Sequence, residues 1–253
     1  MLGCNFQSNV EVELPPYTNK LAVEGYVEPG KPIRVLVTET KSFFDPIGIP
    51  EIKDATVIIS ENGKPDTLKY GYTTANDKIW NFYTDKIADT TSGNTYTIKV
   101  LDAQGRLITA TDIMQKKPQI ISYNYDINEA NFVSMKIVLA PTREPSYYRV
   151  LYHNDSIIGD PVQSYLFEDF NRINPKTGNI EITTPYRWRK GEVCIVRIFR
   201  LSKAYYNFLN SVEQAKSING NPFVQPTQVI SNINNGFGIF ATIRYEQLKF
   251  SFQ

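Results

Sequence analysis

The chain has 253 residues, a net charge of +1, 42% hydrophobic and 13% aromatic residues, two cysteines and one histidine. That length supports one large or two ordinary domains, and a balanced charge argues against nucleic acid, which needs a Lys/Arg excess. One histidine and two cysteines supply neither a usual zinc site nor a disulfide framework, and no run of eighteen apolar residues is present to span a membrane.

The chain opens Met1-Leu2-Gly3-Cys4, which has the form of the end of a bacterial lipobox. A signal peptidase would cut before Cys4, whose sulfur would carry diacylglycerol, and Gly3 suits the narrow pocket before the cut. The apolar stretch that precedes such a motif is not in the sequence, as with a start placed too late or a leader already removed. Residues 5–18 are polar and run into Leu14-Pro15-Pro16-Tyr17, a stiff extended segment. Residues 1–19 are therefore expected to be a lipid anchor and tether, with several acyl chains making the anchoring stable.

From Lys20 short β runs alternate with turn signals. Leu21 to Val27 leads into Glu28-Pro29-Gly30-Lys31, and Ile33, Val35 and Val37 then alternate with Arg34, Leu36 and Thr38. Residues 54–60 end at the Asn62-Gly63 hairpin signal. Further runs are Thr67–Tyr70, Ile79–Thr84, Thr95–Leu101 and Leu107–Thr111. Seven such strands in about ninety residues predict an immunoglobulin-like β-sandwich over 20–113. The charged stretch Ile113 to Pro118 is the expected boundary.

Over 114–253 a second β domain is predicted, with runs at Ile120–Ile127, Phe132–Ala140, Tyr147–His153 and Glu192–Arg200. The polar stretch between His153 and Glu192 is too long for a hairpin; it is a functional loop or holds short elements. Ser202 caps a predicted helix near 202–217, with Tyr205, Phe208, Leu209 and Val212 at helical spacing, ending near Asn219-Gly220. This helix is expected to cover an open face or edge of the second domain. Gly236 and Gly238, before a final strand through Ile243, Tyr245 and Leu248, predict close backbone approach or a bulge.

Chemistry-bearing residues are sparse. His153 ends an apolar run and Cys194 lies within Val193-Cys194-Ile195-Val196, so both read as structural. Glu168 to Asn174 loosely follows a calcium loop but has Ile173 and Asn174 where a ligand and a glycine are needed. No nucleophile elbow, P-loop or dinucleotide fingerprint occurs, so no catalytic residue, metal or cofactor is expected. Paired carboxylates of a glycosidase come from distant strands and leave no local motif, which keeps a glycan-active enzyme as an alternative. A purely structural scaffold is the other.

Aromatic residues give the positive clue. Sandwich cores use such rings freely, but Tyr186-Arg187-Trp188-Arg189-Lys190 sets three cations among two rings, which suits an anionic or planar partner or a protein interface. Tyr186, Arg187 and Trp188, with Tyr165 and Phe167 from the loop before them, are the expected contact residues. Asp66-Thr67-Leu68, Asp89-Thr90-Thr91 and Asp155-Ser156-Ile157 have the form of an O-glycosylation motif of exported proteins.

Several tracts together resemble one family. Residues 17–30, Tyr17-Thr18-Asn19-Lys20-Leu21 through Val27-Glu28-Pro29-Gly30, look like the start of the domain-of-unknown-function 4249 lipoproteins of Bacteroidota. Phe43-Phe44-Asp45-Pro46 and Asp54-Ala55-Thr56-Val57 resemble its next landmarks. Leu201 to Leu209, Asn221-Pro222-Phe223 and Asn232 to Phe240 resemble its helix, the segment after it and its glycine-rich ending. The resemblance implies an outer-membrane lipoprotein, lipid-anchored through Cys4 and often encoded beside a TonB-dependent transporter. It implies no catalytic residue. The tether Asn5-Phe6-Gln7-Ser8-Asn9 lacks the acidic cluster of a surface-export signal, so both the periplasmic and the cell-surface face stay open. The expectation is a non-enzymatic binding or accessory subunit with a TonB-dependent receptor as partner and a peptide or glycan as ligand.

Overall fold

A computed structural model describes residues 17–42, 45, 46, 48–75, 78–155, 161–218 and 227–253. Cys4 and the tether up to Pro16, Phe43-Phe44, Ser156-Ile157, Gly159, Asn219-Gly220 and Asn221-Pro222-Phe223 lie outside these residues.

The first half forms Leu21–Val27 (β1), Pro32–Glu39 (β2), Thr56–Glu61 (β3), Lys64–Thr67 (β4), Lys69–Ala75 (β5), Lys78–Ile87 (β6), Thr95–Leu101 (β7) and Leu107–Ile113 (β8). Eight strands stand where seven were expected. The run Thr67–Tyr70 is broken at Leu68, whose side chain is buried and whose N–H donates to the Val57 carbonyl (2.9 Å). There the chain passes from one sheet to the other. Asn62 and Gly63 have positive φ (47° and 82°), as a two-residue hairpin turn requires.

The second half forms Ile120–Ile127 (β9), Phe132–Leu139 (β10), Tyr147–Asn154 (β11), Gln163–Glu168 (β12), Ile180–Thr183 (β13), Trp188–Arg189 (β14) and Val193–Leu201 (β15). Then come the helix Lys203–Ile218 (α1), Phe237–Thr242 (β16) and Arg244–Ser251 (β17). The stretch after His153 thus holds short elements of its own, including a 3-10 turn at Asp169–Asn171.

The protein is all-β with one helix. Sheet A has the order β16-β1-β2-β6-β5 and faces sheet B, β4-β3-β7-β8. Their shared core holds Val23, Val35, Val37, Val57, Ile98, Val100 and Phe82. Sheet C has β10 between β9 on one side and β13 and β14 on the other; it faces sheet D, β12-β11-β15-β17. That second core holds Met135, Ile137, Tyr148, Tyr152, Trp188, Val196 and Phe250. Alternation does the sorting, since each strand sends every second side chain inward.

Strand β16 departs from the expected division at residue 113. It leaves the C-terminal half and pairs in parallel with β1, Ala22 opposite Phe237 through Val27 opposite Thr242. Both of its faces are buried: Phe240 enters the first core, while Ile239 and Ala241 join a third cluster with Tyr205, Leu201 and Ile243. The helix therefore does not sit on the second sandwich alone. Its apolar stripe, with Tyr206, Phe208 and Leu209, packs between Tyr26 of β1 and Tyr147, Phe199 and Tyr245 of sheet D. Ser202 caps it as expected, its hydroxyl oxygen accepting from the Tyr205 N–H (3.3 Å).

Polar contacts reinforce this junction. The Asp112 carboxylate of β8 accepts from the Thr242 N–H (2.7 Å) and hydroxyl (2.9 Å). Burial pushes that carboxyl above its usual range, opposed by the hydrogen bonds from Thr242 and Ser202. Arg244 also donates to the Thr90 carbonyl.

His153 lies near the end of β11, 4% exposed, with no hydrogen-bond partner on either ring nitrogen. Burial, and then the Arg197 charge, push its pKa below 6.5. Between that lowered value and 6.5 the unfolded chain binds the extra proton, so stability falls as pH drops through this window. Replacing His153 by phenylalanine is expected to flatten that slope. Urea midpoints taken at about pH 7.5 and pH 5 should differ less for the variant than for the parent.

Candidate functional site

The expected contact residues separate into core and surface. Trp188 is 2% exposed. It pairs with Val133 of β10, packs on Tyr152 (ring centroids 5.4 Å apart), and donates through Nε1 to the Asn154 side-chain oxygen (3.3 Å). Phe167 is buried as well, stacked on Tyr148 at 5.1 Å. Neither side chain can meet a partner, because both occupy inward positions of their strands. Tyr165 is half-buried; its hydroxyl lies 3.1 Å from that of Tyr152, and the Arg172 guanidinium lies over its ring and that of Phe167. Tyr186 and Arg187 are exposed. Tyr186 donates to the Asp126 carboxylate of β9, which pushes the Tyr186 hydroxyl above its usual range.

That bond leads to the larger apolar surface, on β9 itself. Residues Ile121 to Asp126 are all exposed, Tyr123 at 55%. The register sets Tyr125 opposite Met135 and Tyr123 opposite Ile137, on the inward side of sheet C. Sheet D does not cover them fully. Tyr123 meets Phe250 edge-on (5.4 Å, 78°) and Tyr125 meets Phe252 the same way (5.2 Å, 77°), leaving the outer part of each ring in solvent. Such edge-to-face pairs contribute about 0.5–1.5 kcal/mol each. Alternation placed these rings on the core side, but only the position of β9 at the end of its sheet exposes them.

Beside β9 lies a recess of about 710 Å³, open to solvent, walled by residues 117–123 and floored by Glu246 and Leu248 of β17. Lys117 pairs across it with Glu246 (2.6 Å). Mixed polar and apolar walls with one ion pair and adjacent tyrosines suit binding of a polypeptide surface.

The described residues hold no group of three His, Cys, Asp or Glu side chains placed to bind a metal. Burial pushes the Cys194 thiol up to about 12, so it stays protonated inside the second core. In an exposed cluster, Glu51 accepts from Tyr70 and Tyr72 and pairs with Lys53 (2.8 Å), which holds its carboxyl at about 2.

A family model described as Domain of unknown function (DUF4249) matches residues 7–249. Among curated proteins no match was found. Solved structures similar to the chain include a cytokine receptor complex (9% identity, 73% of this chain and 86% of that one, TM-score 0.28). Others are the chicken CNTN1 FN1–FN3 domains (9% identity, 75% and 62% covered, TM-score 0.27) and a chimeric titin Z1Z2 tandem (14% identity, 72% and 89% covered, TM-score 0.20).

Proposed function

The chain belongs to the domain-of-unknown-function 4249 family, and on that premise we propose that it is an envelope lipoprotein acting as a non-enzymatic binding or accessory subunit. Its partner is a TonB-dependent outer-membrane receptor, and the lipid on Cys4 holds it at high local concentration beside that receptor. The observation that carries the reading is the exposed row Ile121, Tyr123 and Tyr125 beside an open recess. Half-exposed tyrosines on a rigid strand give contact area at low entropic cost, as binding surfaces do. Tyr186 meets β9 through Asp126 on the opposite, outer side of sheet C.

Capture from detergent-solubilised envelopes, followed by mass spectrometry, tests the reading. A TonB-dependent barrel is the expected catch, and the N-terminal peptide should carry the diacylglycerol mass on Cys4. The double variant Tyr123→Ser/Tyr125→Ser is expected to lower recovery of the barrel about tenfold. Its stability should fall by only about 1–3 kcal/mol, the two edge-to-face contacts being lost. Undiminished recovery with the double variant would move the contact surface elsewhere, and recovery of no envelope protein would sink the accessory role.

A further inference from the structure

We propose that β9 is a docking edge on which an extended segment of a partner protein adds as a further strand of sheet C. The inference rests on the accessory reading above and supplies its mode of contact. Strand β9 pairs with β10 alone, and no described residue pairs with its other side. That side therefore presents a row of free N–H and C=O groups.

Several other edges among the described residues are blunted, and the eight-residue edge β17 carries Lys249. Strand β5 has a register shift between Tyr70 and Thr73, β4 is four residues long and contains Pro65, and β8 is bridged at Thr109 by Asn234. Strand β12 is half-buried or buried along its length. Lysines, prolines and bulges are the usual means of protecting an exposed edge. Strand β9 has eight residues with no lysine or proline; its one bulge is at Ile121, and Ser122 to Ile127 keep a regular register with β10. Its single charge, Asp126, is engaged by Tyr186.

The size of the surface selects the occupant. The strand and the recess together offer roughly a dozen residues, about half of what a folded partner commonly brings to a stable interface. A second folded copy therefore gains too little there, whereas an extended segment draws its affinity from main-chain hydrogen bonds. Alternation sets the sequence of that segment. One set of its side chains would lie beside Tyr123 and Tyr125, over Phe250, Phe252 and Leu248, and should be apolar. The other set would lie beside Ser122, Asn124 and Asp126 and should be polar.

The probe is a synthetic ten-residue peptide alternating Val or Tyr with Thr or Ser, titrated into the full chain by fluorescence anisotropy. Hydrogen exchange of the bound protein is read by mass spectrometry. The expected result is saturable binding with slowed exchange at residues 120–127. N-methyl groups on the internal amides, or a scrambled order that breaks the alternation, should weaken binding about tenfold or more. Binding indifferent to N-methylation, protection elsewhere, or no binding would overturn the proposal. So would a dimer in sedimentation with the β9 amides protected and no peptide present. The envelope capture repeated with saturating peptide separates the two readings. A barrel that is recovered but not displaced removes strand addition and leaves the accessory role; peptide bound at β9 with no envelope partner removes the accessory role.

Discussion

Replacing Gly238 by alanine is expected to cost about 4 kcal/mol or more of folding stability. Gly238 has φ +107°, a conformation that side chains other than glycine rarely adopt, and a Cβ there would lie 1.9 Å from the Val23 carbonyl oxygen. That oxygen is backbone of β1, so relief requires β16 and β1 to separate. Separation would strip the parallel pairing and open the first core at Phe240 and the helix cluster at Ile239 and Ala241. Gly105 is the comparison. It also has positive φ (+80°), but nothing lies within 4 Å of an added Cβ, so Gly105→Ala should cost only about 1 kcal/mol. Thermal melts of the two variants check the difference; equal losses would mean that backbone conformation alone, not the approach of β1, selects glycine at position 238.

Trp188→Ala is expected to cost about 3–5 kcal/mol through the cavity it leaves among Tyr152, Phe252 and Val133. For a chain of this size that corresponds to a fall in Tm of about 10 °C. The exposed neighbours behave differently: Tyr186→Ala and Arg187→Ala should each stay within about 0.5 kcal/mol of the parent. A Trp188→Ala protein that melts with the parent but loses its partner would restore this tryptophan as a contact residue.

Local pattern was enough to find most strands. The alternation in Ile33, Val35 and Val37 and the run at 95–101 match β2 and β7 because burial on one face of a strand imposes a period of two, and the run at 120–127 matches β9. The same rule could have placed Trp188. With Arg187 and Arg189 in solvent, the residue between them must point inward, whereas the cluster of cations and rings by itself suggests one surface. Phe167 followed the same logic beside Leu166. The partner of β16 was not legible, since no local feature says which distant strand a segment will join. Gly236 and Gly238 signalled a close approach without naming β1. Tyr123 and Tyr125 were missed for a related reason. Their apolar alternation is that of a core strand, and only sheet order makes it an edge.

The return of β16 to β1 also imposes an order in time. About 215 residues separate Ala22 from Phe237, so at 5–20 residues per second β1 leaves the ribosome roughly 10 to 40 s before its parallel neighbour. Through that interval the first sandwich lacks Phe240 in its core, and the carbonyls that later approach Gly236 and Gly238 stand open. The N-terminal half cannot finish folding while it is being made. A chain cut short before residue 237 is expected to lose the closure of its first sandwich as well as the end of its second.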